Sequence, residues 1–124
     1  MKTLVWNVRG FGNTRAFQVL LRLKQKHNPD LLFLVETKTD HVHMENVRVK
    51  LGFVSTLVVD SIERNGGLCL FWSSQVDINL FSFSQYHIDI QVSSHRDLLW
   101  RFTRFLWSSG GGSTASWIDI VTST

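Results

Sequence analysis

The chain has a single cysteine, Cys69, in 124 residues, so no disulfide can form within it. That suits a reducing compartment. Proline is also scarce: Pro29 stands alone. It cannot donate to a sheet ladder or continue a helix, so it marks a corner between elements. No apolar run approaches the ~20 residues that a membrane-spanning helix needs. The opening Met1-Lys2-Thr3-Leu4-Val5-Trp6-Asn7 brings charge and turn formers too early for a secretory signal peptide. A nuclear or cytoplasmic protein with no membrane partner is therefore expected. Charged residues make up only 19%, and the net charge of +3 is a mild basic bias. Such a bias is compatible with nucleic acid or another polyanion without singling one out.

Aromatic and aliphatic residues are plentiful. The hydrophobic fraction is 44%, with five Trp and nine Phe, enough for the core of one domain. Lys2 to Val8 reads as a buried strand, followed by the glycine-rich turn Arg9-Gly10-Phe11-Gly12-Asn13. Asn13 or Thr14 can cap a helix to about Lys26, with Ala16, Phe17, Leu20, Leu21 and Lys24 at helical spacing. Asn28-Pro29-Asp30 ends that helix, and Leu31 to Val35 has the continuous apolar pattern of a strand buried on both faces. Strand, helix, strand is a βαβ unit, which requires parallel strands. Asp40 to Leu51 reads as a second helix with a thin stripe of Met44, Val47 and Leu51. Phe53–Val59, Gly67–Trp72, Val76–Phe83, His87–Val92 and Leu98–Phe102 then read as an antiparallel series, with turns at Gly66-Gly67 and Ser84-Gln85. Ser108 to Ser116 is linker-like, and Trp117–Val121 is apolar enough for a strand but has no evident partner.

The chemistry concentrates at two strand ends. Asn7 closes the first strand and Glu36 follows the second. In a parallel pair both ends lie on one edge of the sheet, where α/β proteins bind ligands. A carboxamide oxygen and a carboxylate are hard donors suited to Mg²⁺, which takes one or two carboxylates and keeps water or substrate oxygens for the rest. Arg9 and Lys38 beside them favour a phosphate. The blander alternative is that each polar residue at a strand end is only a turn former. The five histidines are scattered, with His41 and His43 on one helix, and Cys69 reads as a small core residue.

The blocks Met1–Gly10 and Pro29–Lys38 resemble those of plant LINE-type retrotransposon endonuclease domains, within the DNase I-like endonuclease/exonuclease/phosphatase superfamily. Leu51-Gly52-Phe53, Val59-Asp60-Ser61, Arg64-Asn65-Gly66-Gly67-Leu68, His87-Ile88-Asp89 and Trp100-Arg101-Phe102-Thr103 continue the resemblance in order. It implies an α/β fold, one half of a four-layer sandwich, over residues 1–103. It also implies Mg²⁺-dependent phosphodiester hydrolysis on DNA. By the same resemblance Asn7 organises the phosphate and metal site and Glu36 is a metal ligand, with Arg9, Thr37 and Lys38 nearby by motif position. The family pattern further requires a later Tyr, an Asp-x-Asn pair and a terminal Asp-His pair, none of which follows Thr103. The expectation is therefore a chain that binds Mg²⁺ weakly or not at all and is inactive alone, a non-catalytic binding fragment, or a relic of a decayed element.

LINE relatives read Gly-Phe-Tyr-Gly-His-Pro-Glu after the Trp-Arg-Phe-Thr block. Codons that encode Arg104–Gly110 can be chosen so that a one-base shift restores that text. Residues 104–124 are accordingly expected to be frameshifted and poorly ordered. With a single sheet expected from the chain, its inner face should be uncovered and prone to self-association.

Overall fold

The computed structural model describes residues 2–11, 14–63, 66–84, 87–94, 99–105 and 118–122. Gly12, the proposed cap Asn13, the motif residues Arg64 and Asn65, the turn residue Gln85, Leu98, the linker-like Ser108 to Ser116 and Trp117 lie outside the described residues. The order is β1 (Lys2–Asn7), α1 (Thr14–His27), β2 (Leu31–Val35), α2 (His41–Leu51), β3 (Ser55–Val59), β4 (Leu68–Trp72), β5 (Val76–Ser84), β6 (His87–Ser94), β7 (Leu99–Phe105) and β8 (Ile118–Thr122).

The βαβ unit is present. β1 and β2 pair in parallel, with Asn7 opposite Val35. α1 crosses between them and ends where Asn28 turns left-handed at φ 45 and returns its N–H to Lys24 O at 2.7 Å. α2 is capped at both ends. The Asp40 side chain accepts from His43 N at 3.0 Å, and Gly52 at φ 82 closes the last turn on Arg48 and Val49. Arg48 also pairs with Glu45 and reaches the Phe53 and Val54 carbonyls, which ties the helix to the approach of β3.

The later strands divide between two sheets. β4 inserts beside β2, giving the mixed order β3-β4-β2-β1-β8, while β5-β6-β7 form an antiparallel sheet of their own. Alternation along β1 separates two cores. Leu4 and Trp6 point to the helices, where they join Leu20, Leu32, Leu34, Met44, Val47, Leu51 and Phe71. Val5 points the other way, with Leu31, Phe33, Val35, Leu68 and Leu70 against Val76, Ile88, Ile90 and Val92 of the second sheet. The described layers are thus helices, mixed sheet, antiparallel sheet.

That arrangement corrects one expectation. The inner face of the mixed sheet is covered: Leu31, Phe33, Leu68 and Leu70 are fully buried beneath β5 and β6. The argument for self-association through an open face therefore fails. The larger exposed apolar groups of this region are instead Leu80, Phe81 and Phe83 on the edge strand β5. β7 runs through Phe105, and Ile118–Thr122 has a place in the mixed sheet, antiparallel to β1 with Ile118 opposite Trp6.

Candidate functional site

β1, β2 and β3 point the same way, because β4 is antiparallel to both β2 and β3. Their carboxyl ends therefore share one edge. By alternation Asn7 follows Val5 onto the side facing the second sheet, so the edge opens between the two sheets. Asn7 is buried, at 5% exposure, and its Oδ1 has no hydrogen-bond partner. A buried carbonyl oxygen left unpaired is costly, and such groups collect where a ligand completes them.

Glu36 is half-buried just beyond Val35. Its carbonyl accepts from Gly10 N at 2.8 Å, and Thr37 O accepts from Phe11 N at 2.8 Å. On the other side Thr37 N and Lys38 N donate to Gly67 O and Gly66 O at 3.1 and 2.9 Å. The 36–38 segment is stitched between the turn after β1 and the turn before β4. Both expected pairs are thereby brought together: Asn7 with Glu36 at adjoining strand ends, and Arg9 with Lys38 in adjoining turns. The Lys38 stem passes over Gly10, its Cδ 3.7 Å from where a Cβ on that glycine would stand.

The backbone here is unusual. Arg9, Glu36 and Lys38 have φ of 58, 54 and 54, a left-handed conformation that L residues rarely adopt. Each such residue costs about 1–3 kcal/mol and persists where its surroundings over-determine it, commonly at functional sites. Three of the four residues singled out from the sequence carry this strain.

Among the described residues no three His, Cys, Asp or Glu side chains cluster as a metal site. The donor set at the edge is the pair Asn7 and Glu36. One unpaired carboxamide oxygen plus one carboxylate fits a hard cation that keeps most of its own water. Cys69 is excluded from chemistry, since burial pushes its thiol up to about 12.

Two features had no clear sequence signal. One is the burial of Thr37, whose motif position had placed it near the site: its side chain is fully buried with the hydroxyl oxygen unpaired. The other is an exposed ion pair, His41 Nδ1 to Asp60 Oδ2 at 3.0 Å, reinforced by His41 N donating to Asp60 Oδ1 at 2.9 Å. The Asp60 carboxylate raises the His41 pKa above its ordinary value, first by hydrogen bonding and then by charge. The pair's contribution is full below the unfolded histidine value and is lost as pH rises through the raised folded value. Wild type should therefore lose stability relative to His41→Ala as pH rises between about 5 and 8. The effect is small because the pair is exposed. Parallel melting curves at each pH would show it, and a pH-independent difference would count against it.

The architecture matches solved structures. The human Nocturnin catalytic domain with bound sulfate anion superposes with a TM-score of 0.64 at 13% identity, over 83% of this chain and 48% of that one. The AP endonuclease LMAP from Leishmania major superposes with a TM-score of 0.65 at 15% identity, over 90% of this chain and 41% of that one. The fold is DNase I-like. The chain is a partial domain of that fold, spanning less than half the length of either neighbour. No family model and no curated protein sequence matches it.

Proposed function

We propose that the chain is the N-terminal half of a DNase I-like endonuclease domain of the plant LINE retrotransposon type, and that it binds a divalent cation and DNA phosphate without hydrolysing the phosphodiester. The observation that carries this reading is the unpaired, buried Asn7 Oδ1 beside Glu36 at the carboxyl edge. Asn7 and Glu36 would hold Mg²⁺. Bound there, Mg²⁺ supplies Lewis-acid polarisation of a phosphodiester. Arg9 and Lys38, both exposed in the flanking turns, supply positive charge for the phosphate. The retrotransposon assignment rests on the Trp6-Asn7-Val8-Arg9-Gly10 and Glu36-Thr37-Lys38 blocks and on the order of the shorter blocks that follow them.

Hydrolysis needs more than this pair. A general base must take the proton of the attacking water. The resemblance assigns that role to a terminal Asp-His pair, and none of the five histidines of this sequence matches it. The purified chain is therefore expected to leave supercoiled plasmid intact with Mg²⁺ or Mn²⁺. Plasmid nicking that disappears in Glu36→Gln would show a complete catalytic site and overturn the proposal.

A further inference from the structure

The basic residues of this chain are not spread evenly. α1 and α2 carry Arg15, Arg22, Lys24, Lys26, Arg48 and Lys50 against one acid, Glu45, in a chain whose whole positive excess is +3. The rest of the chain is therefore acidic on balance, and the charge that suits a polyanion sits on the helical layer. Glu45 is itself taken by Arg48. Lys24 and Lys50 stand over aromatic rings, 5.2 Å from the Phe53 centroid and 5.4 Å from that of Phe17, neighbours that leave their charge in place.

A cleft of 410 Å³ opens between the two helices. Phe17, partly buried, and Val47, buried, give it an apolar floor. Thr14, Gln18, His43, Asn46 and Lys50 supply polar walls, and no carboxylate lines it among the described residues. The His43 ring is held there by a T-shaped contact with Phe11 at 5.7 Å. Apolar surface with a few polar groups is the make-up of a ligand site. These groups match a nucleotide. The floor suits a flat base, the Gln18 and Asn46 carboxamides each offer a donor and an acceptor to a base edge, and Lys50 suits a phosphate. Only an unstacked base can enter between two helices, which selects a single strand. A lipid surface also attracts basic helices, but a floor recessed in a cleft is out of reach of a flat surface.

We propose that the cleft between α1 and α2 binds single-stranded DNA, with one base against Phe17 and Val47 and its phosphate at Lys50. Both helices start at the carboxyl edge of the mixed sheet, so a strand engaged there by Arg9 and Lys38 continues into the cleft. The choice of DNA rests on those proposed phosphate contacts. The cleft itself needs neither Asn7 nor Glu36, so its failure leaves the ion site standing.

The test is fluorescence anisotropy of a labelled oligothymidylate of about 12 nucleotides, in EDTA so that no cation contributes. The proteins are the wild type, Lys50→Gln, Asn46→Asp, Asn79→Asp and Glu36→Gln. Lys50, Asn46 and Asn79 are exposed, so these changes leave the core intact. The wild type should bind, and more weakly as salt rises. Lys50→Gln should lower the slope of log affinity on log salt by about 0.7. Asn46→Asp should weaken binding about tenfold, since it sets a carboxylate against the strand. Asn79→Asp makes the same charge change on β5 and should bind like the wild type, as should Glu36→Gln. Equal weakening in Asn46→Asp and Asn79→Asp would reduce the effect to net charge and overturn the site, as would full affinity in Asn46→Asp. Binding of anionic phosphatidylserine vesicles or of an oligouridylate, with none of the oligothymidylate, would assign the face to another partner and overturn it too.

Discussion

Ile90→Asp should abolish the cooperative melt of this chain. Ile90 is fully buried on β6 and belongs to the core shared by the two sheets, with Phe33, Leu70 and Val92. Removing its side chain alone costs about 2–5 kcal/mol. An ionised carboxylate placed there has no partner and adds several more, or takes up a proton to avoid them. The sum approaches the about 5–15 kcal/mol that holds a whole domain together. Asp77 provides the control. It lies on the same sheet, is exposed, and alternates with the buried Val76, so Asp77→Ala should change little. Circular dichroism melts of the three proteins separate the possibilities. If Ile90→Asp melts like the wild type, β5-β6-β7 do not cover the mixed sheet, and the two-sheet architecture is wrong.

Gly67→Ala should destabilise by about 2–5 kcal/mol. Two terms add. Alanine at the φ of 91 found here carries the left-handed penalty, about 1–2 kcal/mol. Its Cβ also meets Thr37 Oγ1 and the Lys38 backbone nitrogen, and such overpacking costs about 1–3 kcal/mol. Gly52→Ala isolates the first term, because Gly52 has φ 82 with nothing within 4 Å of an added Cβ. The two substitutions share the conformational penalty and differ in the contact. Urea midpoints converted at constant slope measure the difference. Equal losses at Gly52 and Gly67 would mean that Thr37 does not fill the space beside Gly67.

Much of this was legible in the sequence, because local chemistry settled it. Leu31–Val35 is apolar without interruption and is buried on both faces. Asp40 and Gly52 bracket α2 as N-cap and C-cap residues should. Asn7 and Glu36 follow from the βαβ unit alone, since parallel strands bring their carboxyl ends together.

What was not legible is which strands share a sheet. The strands after α2 read as one antiparallel series, yet β4 inserts beside β2 while β5 starts a new sheet. One signal was present. In β6, Ile88, Ile90 and Val92 alternate with Asp89, Gln91 and Ser93, the pattern of a sheet with only one covered face. β4 reads Leu-Cys-Leu-Phe-Trp and is covered on both sides. That contrast separates the two sheets. The pairing of β8 with β1 had no such signal, because Ile118–Thr122 meets its partner across more than a hundred residues of sequence. The burial of Thr37 was hidden for a related reason. Its burial depends on Gly67, which is remote in the chain and close only in the fold.

The direct measurement of the functional claim is an amide spectrum of the ¹⁵N-labelled chain with substoichiometric Mn²⁺. The paramagnetic ion broadens the amides nearest to it. Broadening should centre on Asn7, Val8, Glu36 and Thr37, and should vanish in Glu36→Gln. Broadening centred on Asp40, His41 and Asp60, or none at all, would contradict an ion site at the carboxyl edge of β1 and β2.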